Sequence, residues 1–173
     1  MELVLQGKWT ILEQISKLLA RKNDHIHFEE EKVISTNDDL VSSLGKIQQI
    51  CGVETWATLE IFDKYFTNIK EEVAAKYAEI FHTWILNLHV ELSAIHTQQK
   101  GNSFEHCLKE YFGDCLANPI EDLHDRWWVF RNGEEVCVLS VGGSFNGLGK
   151  KICLVNKVPD EDIVEIMEAL QKN

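Results

Sequence analysis

A chain of 173 residues, 45% hydrophobic and 26% charged, is long enough to bury one substantial core and too short to suggest two. Its net charge of −11 excludes general binding to DNA, RNA or anionic lipid, whose attraction for proteins comes largely from lysine and arginine neutralising phosphates, and points instead to a cationic partner. Five widely spaced cysteines with no CxxC pair read as reduced, mostly buried thiols, and MELVLQGKWT lacks the basic start and long apolar run of a signal peptide, so a cytoplasmic protein is expected, with no membrane association.

Trp9, Leu12, Ile15 and Leu19 recur at helical spacing and predict an amphipathic first helix ending near Arg21 and Lys22. The acidic segment HFEEEK, which holds Glu29, Glu30 and Glu31, has no decisive period. STNDDLVSSLGKIQQICG predicts a second helix with Thr36 or Asn37 as its N-cap, Asp38 and Asp39 in its first turn and Gly52 at its end. Trp56, Leu59, Phe62 and Phe66 mark a third. Between Asn68 and Gly101, the residues Val73, Tyr77, Phe81, Trp84, Leu88, Leu92 and Ile95 keep a three-and-four spacing, which predicts one long central helix of about 40 Å at 1.5 Å per residue. SFEHCLKEYFG and NPIEDLHD predict two shorter helices.

The pattern then changes. RWWVFRNGEEVCVLSV carries two runs rich in aromatic and β-branched residues around Asn132-Gly133, a strong hairpin signal. A two-residue turn there pairs Arg131 with Glu134, Val129 with Val136 and Trp127 with Val138. KKICLV predicts a third strand, and VPDEDIVEIMEALQKN a closing helix with Pro159 at its start and acids in its first turn. The expected fold is α+β, a single domain over residues 1–173: a helical body over 1–125 with the long central helix, a small antiparallel sheet within 126–157 near the C-terminus, and a closing helix over 158–173.

His82, His89 and His96 recur every seventh position. Seven residues on a helix span about 10.5 Å, so no two of them chelate one metal from the same helix, and they read as edge residues of an amphipathic face. GGSFNGLGKK, residues 142–151, fails the phosphate-loop pattern, because Ser144 stands where the first glycine is required and Lys151 where a hydroxyl residue is. It reads as a connection between strands that offers Lys150 and Lys151 to an anion or a partner. Residues 126–157 carry five basic and two acidic side chains, a mildly basic segment in an acidic chain. His106-Cys107 lacks a neighbouring base, and His124-Asp125 is a dipeptide that chance supplies.

The residues that suit partner contact are the acids Glu29, Glu30 and Glu31, the acids Asp160, Glu161 and Asp162, the pair Lys150 and Lys151, and Trp127-Trp128, of which a strand turns one outward. No catalytic constellation, metal or cofactor is expected. The sequence fits a non-enzymatic binding protein that docks a basic protein, within that class an immunity protein neutralising a toxin such as a nuclease. The alternative is a small metal-dependent hydrolase or ligand-binding domain that uses His82, His89, His96, His106 and His124.

Overall fold

The computed structural model describes residues 31–52, 56–120 and 123–171. Within Thr58–Phe62 (β2), Leu59 and Ile61 bury on one face while Glu60 and Phe62 lie on the other, the period of two that defines a strand. β2 is one of seven strands among the described residues; Glu31–Ile34 (β1), Glu91–His96 (β3), Leu116–Ala117 (β4), Trp127–Asn132 (β5), Glu135–Val141 (β6) and Cys153–Lys157 (β7) form one sheet with it. Their order is β1-β7-β6-β5-β2-β3-β4. Helices are Leu40–Cys51 (α1), Glu71–Leu88 (α2), Ser103–Phe112 (α3) and Asp160–Gln171 (α4).

The sheet is mixed. β1, β7, β6, β5 and β2 pair antiparallel with their neighbours, whereas β2, β3 and β4 run parallel. Parallel neighbours need a crossover, and α2 and α3 supply the two that lead from β2 to β3 to β4. This large central sheet replaces the expected helical body and small C-terminal sheet.

Two segments account for that correction. The predicted long helix stops at Leu88, where His89 turns left-handed (φ 53°, ψ 31°) and donates its N–H to the Leu86 carbonyl. β3 follows at once. A bulge in the pairing of β3 with β2 sets Leu59 opposite Leu92 but Glu60 opposite Ala94, so Ser93 is the extra residue, its Oγ donating to the Leu59 carbonyl at 2.9 Å. Because of the bulge, the two buried positions Leu92 and Ile95 stand three apart and extend the helical spacing of Leu88. The expected third helix is β2 and the loop after it: Leu59 and Phe66 pack on one side of the sheet and Phe62 on the other.

Elsewhere the local signals carry through. α1 ends at Gly52 as expected, although its cap is Asp39, whose carboxylate accepts the Ser42 N–H at 2.7 Å. α3, α4, the β5–β6 hairpin and β7 form where predicted. The hairpin register is shifted by two residues: Arg131 pairs with Val136 and Val129 with Val138, with Gly133 (φ 60°) and Glu134 in the turn. A shift of two keeps every side chain on its face, so Val129 still meets a valine, but Trp127 now faces Ser140 and Arg131 faces Val136 in place of a carboxylate. The segment NPIEDLHD forms no helix among its described residues, and the predicted first helix lies outside the described residues.

α1, α2 and α3 cover one face of the sheet over an aromatic cluster in which Phe145 stacks on Phe66 (4.4 Å) and meets Phe81 edge-on (5.3 Å). α4 covers part of the other face, laying Ile163, Ile166, Met167 and Leu170 on Val129, Val136, Val138 and Trp127. Four of the cysteines are buried and Cys107 is half-buried. Among the described residues no helix is long and apolar enough to cross a membrane.

Candidate functional site

The five histidines among the described residues do not converge. His82 stacks on Tyr111 at 4.3 Å, and His89 is the exposed left-handed residue after α2. His96, on β3, meets Glu60 of β2 at 2.9 Å and stacks on Phe62 at 4.3 Å. His106 approaches Glu110 one turn along α3, and His124 is exposed. Among the described residues, no three His, Cys, Asp or Glu side chains form a group able to hold a metal ion. At His89 the left-handed backbone costs a residue with a Cβ about 1–2 kcal/mol that glycine does not incur. His89→Gly is therefore expected to raise thermal stability by a few degrees, as scanning calorimetry would show; a fall would mean that the imidazole makes a contact worth more than the strain.

The acidic residues do gather. At the turn end of the β5–β6 hairpin an open groove of about 660 Å³ runs between the hairpin and α4. Glu134, Glu135, Asp160 and Glu168 border it, and Trp56, Val136, Ile163, Val164 and Met167 supply apolar surface, with Val164 65% exposed. Arg131 lies on the same face, its guanidinium 3.7 Å from the Met167 sulfur. Glu134, Glu135 and Asp160 make no ion pair among the described residues.

α4 holds five acids in twelve residues and no cation. Asp160, Glu161 and Asp162 suit the positive end of the helix dipole, which accounts for them as helix formers. That account does not extend to Glu165 and Glu168 farther along, nor to Glu134 and Glu135 on another element. Acid is concentrated on this end of the sheet beyond what local structure requires.

The other sequence-nominated residues lie apart. Glu31 begins the exposed edge strand β1, while Glu29 and Glu30 lie outside the described residues. Trp128 is 1% exposed and belongs to the aromatic core, so it offers no surface to a partner; Trp127 is half-buried under the α4 face. Lys150 and Lys151 sit at the opposite end of the hairpin, about 20 Å from the acidic groove at ~3.3 Å per strand residue.

That opposite end is organised by Asp63, the residue after β2. Its carboxylate is 1% exposed, accepts the backbone N–H of Tyr65 (2.9 Å) and of Phe145 (3.0 Å), and lies 3.5 Å from the Nε of Arg126. Burial pushes the Asp63 carboxyl above its ordinary value, against the opposing pull of those two N–H groups and of Arg126. One side chain thus ties the loop after β2 to the glycine-rich loop after β6 and to the start of β5.

Sequence reading missed Glu134 and Glu135 as site residues because the expected register spent Glu134 on Arg131. It missed Asp63 because a lone aspartate after an apolar run carries no signal of burial. The chain matches no known protein-family model, and no curated protein matches it.

Proposed function

We propose that this protein works by binding and not by catalysis, docking a cationic protein in the acidic groove between α4 and the β5–β6 turn. The observation that carries this reading is the combination there of Glu134, Glu135 and Asp160, which make no ion pair among the described residues, with exposed apolar surface. Carboxylates attract a basic partner over long range, and a packed apolar contact then holds it. Within this class the protein acts as an immunity or inhibitor protein that occupies the basic working face of a toxin such as a nuclease, with Asp160, Glu161 and Asp162 at one end of the contact and Glu134 and Glu135 at the other.

The test is paired affinity capture from the native cells, using the tagged wild-type chain and a variant carrying Glu134→Lys, Glu135→Lys and Asp160→Lys. These three positions are exposed, so Glu134→Lys and Glu135→Lys are each expected to alter stability by no more than about 0.5 kcal/mol, and Asp160→Lys, which puts a cation at the positive end of α4, to cost about 1 kcal/mol. A stoichiometric basic protein retained by the wild type, lost from it in high salt and absent from the variant, is the expected result. Equal retention by both chains would remove the groove from the contact.

A further inference from the structure

The basic end of the hairpin forms a pocket of its own. It measures about 450 Å³, within the range of small-ligand sites, and is lined by Tyr65, Asn68, Arg126, Ser144, Lys150 and Lys151, among others. In a chain of net charge −11, three cations border this pocket and no acidic residue does among the described residues.

The cations are unequally engaged. Arg126 is 25% exposed, and its only carboxylate among the described residues is Asp63, buried behind it; the 3.5 Å approach of Nε lacks hydrogen-bond geometry and leaves that buried nitrogen without a bonded partner. Lys150 is held by the Asn146 side chain at 2.8 Å and lies 5.0 Å from the centre of the Tyr77 ring, so its ammonium is positioned without being neutralised. Lys151 is exposed and meets no carboxylate among the described residues.

The walls are built in advance of any ligand. The glycine-rich loop is anchored by Phe145 and Leu148 in the core, and at Gly149 (φ 72°) a Cβ would collide with the Asp38 carbonyl oxygen at the start of α1. Gly142 and Gly143 lie against β7, where a Cβ would stand 3.1 Å from the Leu154 carbonyl oxygen and 3.2 Å from the Cys153 sulfur respectively. The connection is a packed element, which lowers the cost of ordering a ligand against it.

We propose that this pocket binds a small phosphate ester, its phosphate held by Arg126, Lys150 and Lys151 and its organic part lying on Tyr65 and Ile152. Three cations suit a group that carries two negative charges better than a monoanion. The exposed Tyr65 ring and the exposed Ile152 side chain offer apolar surface beside the charge, which a bare phosphate ion does not use. Ser144, Asn68 and Asn146 add hydroxyl and amide groups for the ligand's polar substituents.

Phenyl phosphate, inorganic phosphate and benzoate, each titrated calorimetrically into the full chain at matched ionic strength, test the assignment. Phenyl phosphate is expected to bind, more tightly than inorganic phosphate, with benzoate silent. Replacing both exposed lysines, Lys150→Gln with Lys151→Gln, is expected to weaken phenyl phosphate by about tenfold or more while the chain stays folded by circular dichroism, since two charge-assisted contacts are lost. Arg126→Lys, which keeps the charge and loses the fork, is expected to weaken it as well. Failure of phenyl phosphate to bind, affinity unchanged in the double-lysine variant, or benzoate binding as tightly as phenyl phosphate would each overturn the proposal.

Discussion

Replacing Asp63 by alanine is expected to cost about 3–5 kcal/mol of folding stability, because two backbone N–H groups lose the acceptor that joins two loops. The Phe145 N–H would lose its acceptor within the core, and the Tyr65 N–H would lose another; a carboxyl oxygen serves both whether or not the group is ionised. Urea titration read by tryptophan fluorescence measures the change. The size of the loss also depends on pH. Because burial raises the Asp63 carboxyl above its ordinary value of 3.8, the folded state binds a proton here more readily than the unfolded chain does. The contribution of Asp63 is therefore fully present below that value and declines as pH rises through the raised one. The gap between wild type and Asp63→Ala should accordingly be wider at the acid end of the range in which both remain folded. A variant within about 0.5 kcal/mol of wild type, at the level of an ordinary surface change, would show that the two loops hold their places without the carboxylate.

Phe145→Ala carries the second large effect, about 3–5 kcal/mol. Its ring is 1% exposed and contacts Phe66, Phe81, Phe104 and Tyr77, so truncation opens a cavity bounded by α2, α3 and the loop after β2. This residue belongs to a connection that composition alone marks as loose. A loss of that size at equilibrium would establish the glycine-rich loop as part of the core; a loss below about 1 kcal/mol would mean that the loop moves independently of it.

The same contrast separates the legible parts of the chain from the rest. α1, α3, α4 and the hairpin announce themselves because their signals are local: a cap, a glycine stop, acids at a helix start, paired runs about a turn. β2 and β3 do not, since both are central strands whose partners lie far along the chain, and the bulge at Ser93 gives β3 a spacing that belongs to helices. β1 is four residues long and follows an acidic run with no decisive period, so it does not read as a strand; among the described residues it pairs with β7, and Lys46 reaches its Val33 carbonyl at 2.9 Å.

The candidate site divides similarly. The acids at the start of α4 are visible from sequence, and so is the basic pair Lys150 and Lys151. That Glu134 and Glu135 join the former and Arg126 the latter follows from which strands lie side by side, and a hairpin register two residues off moves Glu134 from a cross-strand pair into the turn.

The most direct measurement is the association rate of the captured basic partner with the wild-type chain and with the Glu134→Lys, Glu135→Lys, Asp160→Lys variant, followed by stopped flow over a series of salt concentrations. Docking through the acidic groove predicts a wild-type rate that falls steeply as salt rises, with dissociation far less affected, and a variant that associates slowly even at low salt. A rate independent of salt, or one shared by the wild type and the variant, would contradict it.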